Sequence, residues 1–235
     1  MTLPDELAQL HILRTRGLVL ADQVTDPATM AALEADGLVL RNRHGLVLTP
    51  PGYRRHRRML SDLRSTLPLD VVRDAYAAFV AANPIVEDAC VAWQLSSREV
   101  GTAREISRML RDGLAGASRP LDRAGVAVPH LAPYPDRLRA ALTMSEHDRR
   151  FLTSPAVDSF HSVWFQLEED LLVTLGLERP EDDGHHGSSD LHTVLPSAVP
   201  VDDGRGGATV VPLPVGPGRD PATPGPLSSL EPPPP

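Results

Sequence analysis

The sequence predicts a mainly α-helical protein that opens with a small antiparallel β-hairpin and closes in a disordered tail. Three observations carry this. The tetrapeptide Gly-Leu-Val-Leu occurs at 17–20, 37–40 and 45–48. Apolar residues then recur at helical spacing as far as residue 178. Beyond it, 179–235 hold thirteen prolines and eight glycines.

The elements follow in order. Leu7, Leu10, His11 and Leu13 form a helical stripe over 5–16 that Gly17 ends. The first Gly-Leu-Val-Leu copy is a short strand, and a short helix follows near 21–24. Asp26 is an N-cap with Pro27 at the first helical position, so a third helix spans about 27–36. The other two copies face each other across Arg41-Asn42-Arg43-His44 as a hairpin with a basic tip. Leu38, Leu40, Leu46 and Leu48 are expected on one face, with Val39 and Val47 on the other. Thr49 caps a basic helix from Tyr53 to about Ser65. Helix, strand, helix, helix, hairpin is the order of a winged helix-turn-helix, an α+β winged helix over 1–66 with the hairpin as wing.

An all-α domain is expected over 69–178. Val71, Val72, Ala75, Tyr76, Phe79 and Val80 open it, and Pro84 starts a new helix. A further helix covers 98–114, the prolines of 119–135 predict a loop, and short helices cover 136–144 and 145–152. Phe160, Val163, Trp164, Leu167, Leu171 and Leu175 make the longest stripe, over 157–177. The segment 179–235 is too poor in apolar residues to offset its ordering entropy and is expected to be disordered, with polyproline II character.

The single Cys90 excludes a disulfide framework. No apolar run approaches the roughly 18 residues of a bilayer span, and no basic, apolar leader opens the chain, so a soluble cytoplasmic protein without membrane contact is expected. All 23 basic residues are arginine, a preference that fits a GC-rich genome. The net charge of −8 opposes general nucleic-acid binding, but it is unevenly spread. Residues 1–70 carry +1, 71–178 carry −4 and 179–235 carry −5. Within 38–64 seven arginines meet one acid, Asp62, and such a local patch attracts phosphate within a Debye length of about 8–10 Å.

The candidate nucleic-acid residues are Arg41, Arg43 and His44 at the tip and Arg54, Arg55, Arg57 and Arg58, with His56, in the helix that follows. Guanidinium groups contact phosphates bidentately and enter narrow minor grooves. The plainer reading is a polar turn and a solvated helix face.

The stretches Leu33-Glu34-Ala35-Asp36-Gly37-Leu38-Val39, Arg41 and Leu48-Thr49-Pro50-Pro51-Gly52 resemble the MarR-type winged-helix regulators over about 5–60. That family enters its wing through a leucine, acidic, Gly-Leu-Val, Arg pattern and leaves through Leu-Thr-x-x-Gly. The resemblance implies a pre-wing helix in the major groove, with Thr25, Ala28 and Thr29 near base edges and the wing residues on phosphate. The chain departs from the pattern in its short span between Arg16 and Gly37. Its pre-wing helix also lacks basic and amide side chains, the usual readers of bases.

In the helical domain, Trp93, Gln94, His161, Trp164, Phe165, Glu168 and Glu169 are candidates for a ligand pocket. Asp158 with His161 has metal-ligand spacing but no second ligand cluster, so an amphipathic helix with a capping Asp is the plainer reading. For Trp93 and Trp164 a place in the core is the plainer reading than a ligand cage. The tail histidines His185, His186 and His192 carry no assigned role. No phosphate loop, nucleophile elbow, paired cysteines or zincin motif occurs, and no cofactor is implied.

The leading expectation is therefore a non-enzymatic, DNA-binding transcription regulator. Its partners are double-stranded DNA, a second copy of the chain and a small-molecule effector held by the helical domain. The alternatives are a winged-helix module that regulates a partner enzyme without DNA, and an enzyme built around His161 and Glu168.

Overall fold

The computed structural model describes residues 3–96 and 100–177, with the backbone of Pro200–Val201 paired antiparallel to Thr209–Val210. Met1–His186 form one compact unit and Gly187–Pro235 a second. The expectation of a disordered tail lies largely outside the described residues.

Helix α1 spans Asp5–Arg16 and ends at Gly17, whose N–H bonds the Leu13 carbonyl. A 3-10 turn, Ala21–Gln23, leads to α2, Pro27–Ala35. Asp26 caps α2, its carboxylate accepting from the Thr29 N–H. Strands β1 (Val39–Asn42) and β2 (Gly45–Leu48) form the hairpin. Val19 exchanges backbone hydrogen bonds with Leu46, at 3.0 and 2.8 Å, so the first Gly-Leu-Val-Leu copy lies along β2 as an extended segment. Helix α3, Pro50–Arg64, is capped by the Thr49 hydroxyl, which accepts from the Gly52 N–H.

The hairpin register corrects the expected faces. Val39 pairs with Leu48 and Leu40 with Val47. Cross-strand partners share a face, so Val39 is buried with Leu46 and Leu48 while Leu40 points outward. A two-residue turn, Arg43-His44, makes odd positions face even ones, whereas the expected grouping put even with even. The Asn42 carboxamide closes this turn, accepting from the His44 and Gly45 N–H groups.

Helices α4 (Leu69–Leu95) and α5 (Val100–Ala127) are longer than the sequence suggests, and each contains a proline, Pro84 and Pro120. An interior proline costs roughly 3 kcal/mol. Burial offsets it here: Ala82, Val86, Ala89 and Cys90 flank Pro84 in the core, and Ala117, Leu121 and Ala124 flank Pro120. The expected 119–135 loop is thus largely helix. A 3-10 turn, Pro129–Leu131, joins α5 to α6, Pro133–Ser145, and α7 is one turn, Arg150–Thr153. Helix α8, Phe160–Leu175, begins after Asp158, with Ser159 as its cap, and ends at Gly176 in the left-handed conformation.

By length and composition α4 alone passes the test for a bilayer span among the described residues, but 44% of its most apolar window is buried within the protein. Two apolar clusters result. One, around Leu10, Leu13, Met30, Leu33, Leu46 and Tyr53, sits under the hairpin. The other, from Val72 to Leu171, fills the bundle of α4, α5, α6 and α8. Leu7, Leu60 and Val173 join α1, α3 and α8 between them.

Candidate functional site

At this junction lies a set of polar side chains from four elements. His11 comes from α1, His56 from α3, His130 from the 3-10 turn before α6, and Asp170 from α8. Helical periodicity turns each of His11, His56 and Asp170 inward among the apolar residues of its helix, so all three are buried. His11 Nε2 lies 2.9 Å from Asp170 Oδ1 and His11 Nδ1 lies 3.0 Å from His56 Nε2. His130 Nε2 is 3.5 Å from the same Asp170 oxygen and 3.0 Å from the Thr174 hydroxyl, which itself donates to Asp170 Oδ1 at 3.2 Å. The His11 and His56 rings are stacked at 5.2 Å, and His130 meets His11 edge-on at 4.9 Å.

The electrostatics follow from the burial. Loss of water pushes the His56 pKa down to about 2, helped by His11 and Arg14. Burial likewise lowers His130 to about 4, although Asp170 pulls the other way. For Asp170 burial favours the neutral acid, but His11 beside it outweighs that and holds the carboxyl below its ordinary value. An ionised Asp170 can only accept, so His11 donates to it through its Nε2–H. His11 Nδ1 and His56 Nε2 share a hydrogen bond, and His56 Nδ1 is a buried atom with no hydrogen-bond partner. Nearby, Arg14 is buried in an ion pair with Glu169 and lies over the Tyr53 ring. Sequence reasoning noticed His11 only as a member of a stripe. The available signal was a polar residue within an apolar face: His11 beside Leu10, and Asp170 three residues after Leu167.

The residues expected to meet DNA divide into two groups. Arg41 is bound bidentately to Glu34, at 3.0 and 2.6 Å, and Arg55 to Glu6, at 2.7 and 3.1 Å. Arg43 and His44 are exposed at the turn and contact each other, at 2.8 Å. Arg54 and Arg58 are exposed one helical turn apart on α3, whereas Arg57 is half-buried and His56 faces inward. Thr25 and Ala28 are exposed, and Thr29 is half-buried with its N–H committed to the Asp26 cap.

In the bundle, Trp93 and Trp164 are core residues. Trp164 stacks on Phe79 at 4.4 Å, and its indole N–H donates to Asn83 Oδ1 at 2.8 Å. Asn83 in turn donates to Glu87. Glu168 is half-buried, and burial, then the Glu87 charge, raise its pKa. His161 packs edge-on against Phe165 at 4.5 Å. Asp158 pairs with Arg137 and lies outside α8, so it shares no helical face with His161. Burial, then Glu87, push the Cys90 thiol up to about 12, an inert core thiol. Compared with family models, curated proteins and solved structures, the chain matches none of them.

Proposed function

We propose that the protein is a cytoplasmic DNA-binding transcription regulator that meets the duplex through its hairpin turn and the first turns of α3. One observation carries this reading. Arg43, His44, Arg54 and Arg58 are exposed on the hairpin turn and α3, and no ion pair to an acid engages them among the described residues. Arg41 and Arg55 are spent on Glu34 and Glu6 and contribute less. Helix α2 presents Ala28, Ala31, Ala32 and Ala35 and offers no donor suited to base edges, so the contact is mainly to phosphate. The helical bundle then serves as the platform for a second copy or a small-molecule effector. Exposed Ile85, Val91 and Leu95 on α4 suit pairing.

Fluorescence anisotropy with duplex DNA from the protein's own promoter region, over a salt series, tests this. Each lost phosphate contact lowers the slope of log K against log salt by about one. The triple variant Arg43→Ala/Arg54→Ala/Arg58→Ala should flatten the slope by two to three, and Arg41→Ala by much less. Absence of binding near physiological salt, or an unchanged slope, rejects the reading.

A second reading, a docking module for a partner protein, is favoured by a different feature. Leu18, Leu20 and Leu40, 37, 43 and 55% exposed, lie on the outer face of the hairpin and its added segment, opposite Val19 and Val39. Binding of a protein that duplex DNA does not displace, and that Leu40→Ser abolishes, would favour it.

A further inference from the structure

We infer that His11 Nε2, His130 Nε2 and Asp170 Oδ1 form a binding site for a zinc-class divalent cation, with the Thr174 hydroxyl at its edge. The three side chains present one ligand atom each, all within 4.8 Å of one another. A tetrahedral zinc ion about 2.0–2.1 Å from its ligands sets neighbouring donor atoms roughly 3.3 Å apart. The observed His11–Asp170 and His130–Asp170 separations, 2.9 and 3.5 Å, bracket that spacing. Thr174 Oγ1 lies beside the set, 3.0 Å from His130 Nε2 and 3.2 Å from Asp170 Oδ1. Two imidazoles and one carboxylate suit zinc or cobalt better than magnesium or calcium, which prefer all-oxygen sets.

The surroundings are those of a ligand sphere. A metal-binding imidazole ordinarily hydrogen-bonds through its other nitrogen, and His11 Nδ1 does so to His56 Nε2. With Nε2 on the ion, His11 would carry its proton on Nδ1 and donate it to His56 Nε2. The His56 proton then sits on Nδ1, the atom that has no partner in the protein. The Asp170 charge, wholly buried, is balanced by the cation. Among the described residues the buried Arg14 is paired with Glu169, and Arg64 is committed to backbone carbonyls of α8. His130 lies on the 3-10 turn before α6, with its side chain only 8% exposed. The site is built from α1, a turn and α8, so the bound ion clamps the hairpin part to the bundle. This inference is independent of the DNA reading.

Cobalt(II) titration of the metal-free full-length chain tests it, followed by visible absorption and by the thermal midpoint with and without zinc(II). The expected result is one equivalent bound, the d–d absorption of a four- or five-coordinate ion, displacement by zinc and a raised midpoint. His130→Gln, on the turn rather than within a helix, should weaken binding at least tenfold while circular dichroism stays unchanged. Asp170→Asn should do the same if it folds. A third variant, His185→Ala/His186→Ala/His192→Ala, should bind as the parent does. No uptake by the parent chain, uptake undiminished in His130→Gln, or uptake lost with the three tail histidines would each overturn the inference.

Discussion

Gly52 shows how little room single positions leave. A Cβ there would stand 2.1 Å from the Leu38 carbonyl oxygen and 3.1 Å from Leu48 Cδ2, so α3 could not start where it does against the hairpin. Gly52→Ala should lower stability by about 1–3 kcal/mol in urea unfolding, as overpacking does, and an unchanged midpoint would show that the hairpin yields to a Cβ without cost. Glu168 gives a pH signature. Its folded pKa is raised, by burial and then by Glu87. The folded state therefore holds this proton more tightly than the unfolded one. Its contribution is fully present below the unfolded value near 4.5 and is lost as pH rises through the folded value. Glu168→Gln should thus gain stability relative to the parent chain as pH rises above about 4.5, and be level with it at lower pH. Parallel pH curves for the two proteins would remove Glu168 from the buried groups.

Among the elements, α8 has both ends fixed by identifiable groups. Ser159 caps its start, and Gly176, at φ 75°, closes its end. Arg64 of α3 then donates to the Thr174 and Val173 carbonyls, at 3.0 and 2.9 Å, placing a cation on the negative end of the helix. Arg64→Ala should cost about 1.5–3 kcal/mol, as hydrogen bonds to a charged group do, and Arg64→Lys should recover only part because it cannot span both carbonyls. Full recovery by lysine would show that charge alone matters. The hairpin and the proline-bearing helices mark where local rules lose to context. The turn length set the parity of the strands, and α4 and α5 ran through their prolines because the flanking residues had a core to enter.

For the whole molecule, the apolar clusters under the hairpin and within the bundle are joined by Leu7, Leu60 and Val173 and by the buried His11–Asp170 contact. Met1–His186 should therefore unfold as one cooperative unit. Fluorescence of Trp93 and Trp164, both in the bundle, and amide exchange at Val19 and Leu46, in the hairpin, should be lost over the same range of urea. Earlier loss at Val19 and Leu46 would show that the junction transmits little, and Leu60→Ala should bring that separation about.

The sequence by itself determined the local features, because their causes lie within a few residues. The end of α1 at Gly17, the Asp26 and Thr49 caps, the hairpin at the repeated Gly-Leu-Val-Leu and the stripe of α8 are all of this kind. Only the tertiary structure decided the buried site. His11, His56, His130 and Asp170 are separated by 45, 74 and 40 positions, and no periodicity links residues so far apart. Each is an ordinary polar residue on its own element, and the packing of α1 and α3 against α8 makes them a cluster. The packing of α3 on α1 gave Arg55 its partner Glu6, and that of β1 beside α2 gave Arg41 its partner Glu34, which took both out of the basic patch. Charge counted along a chain cannot register such pairing, because it depends on which side chains the fold brings within hydrogen-bond reach.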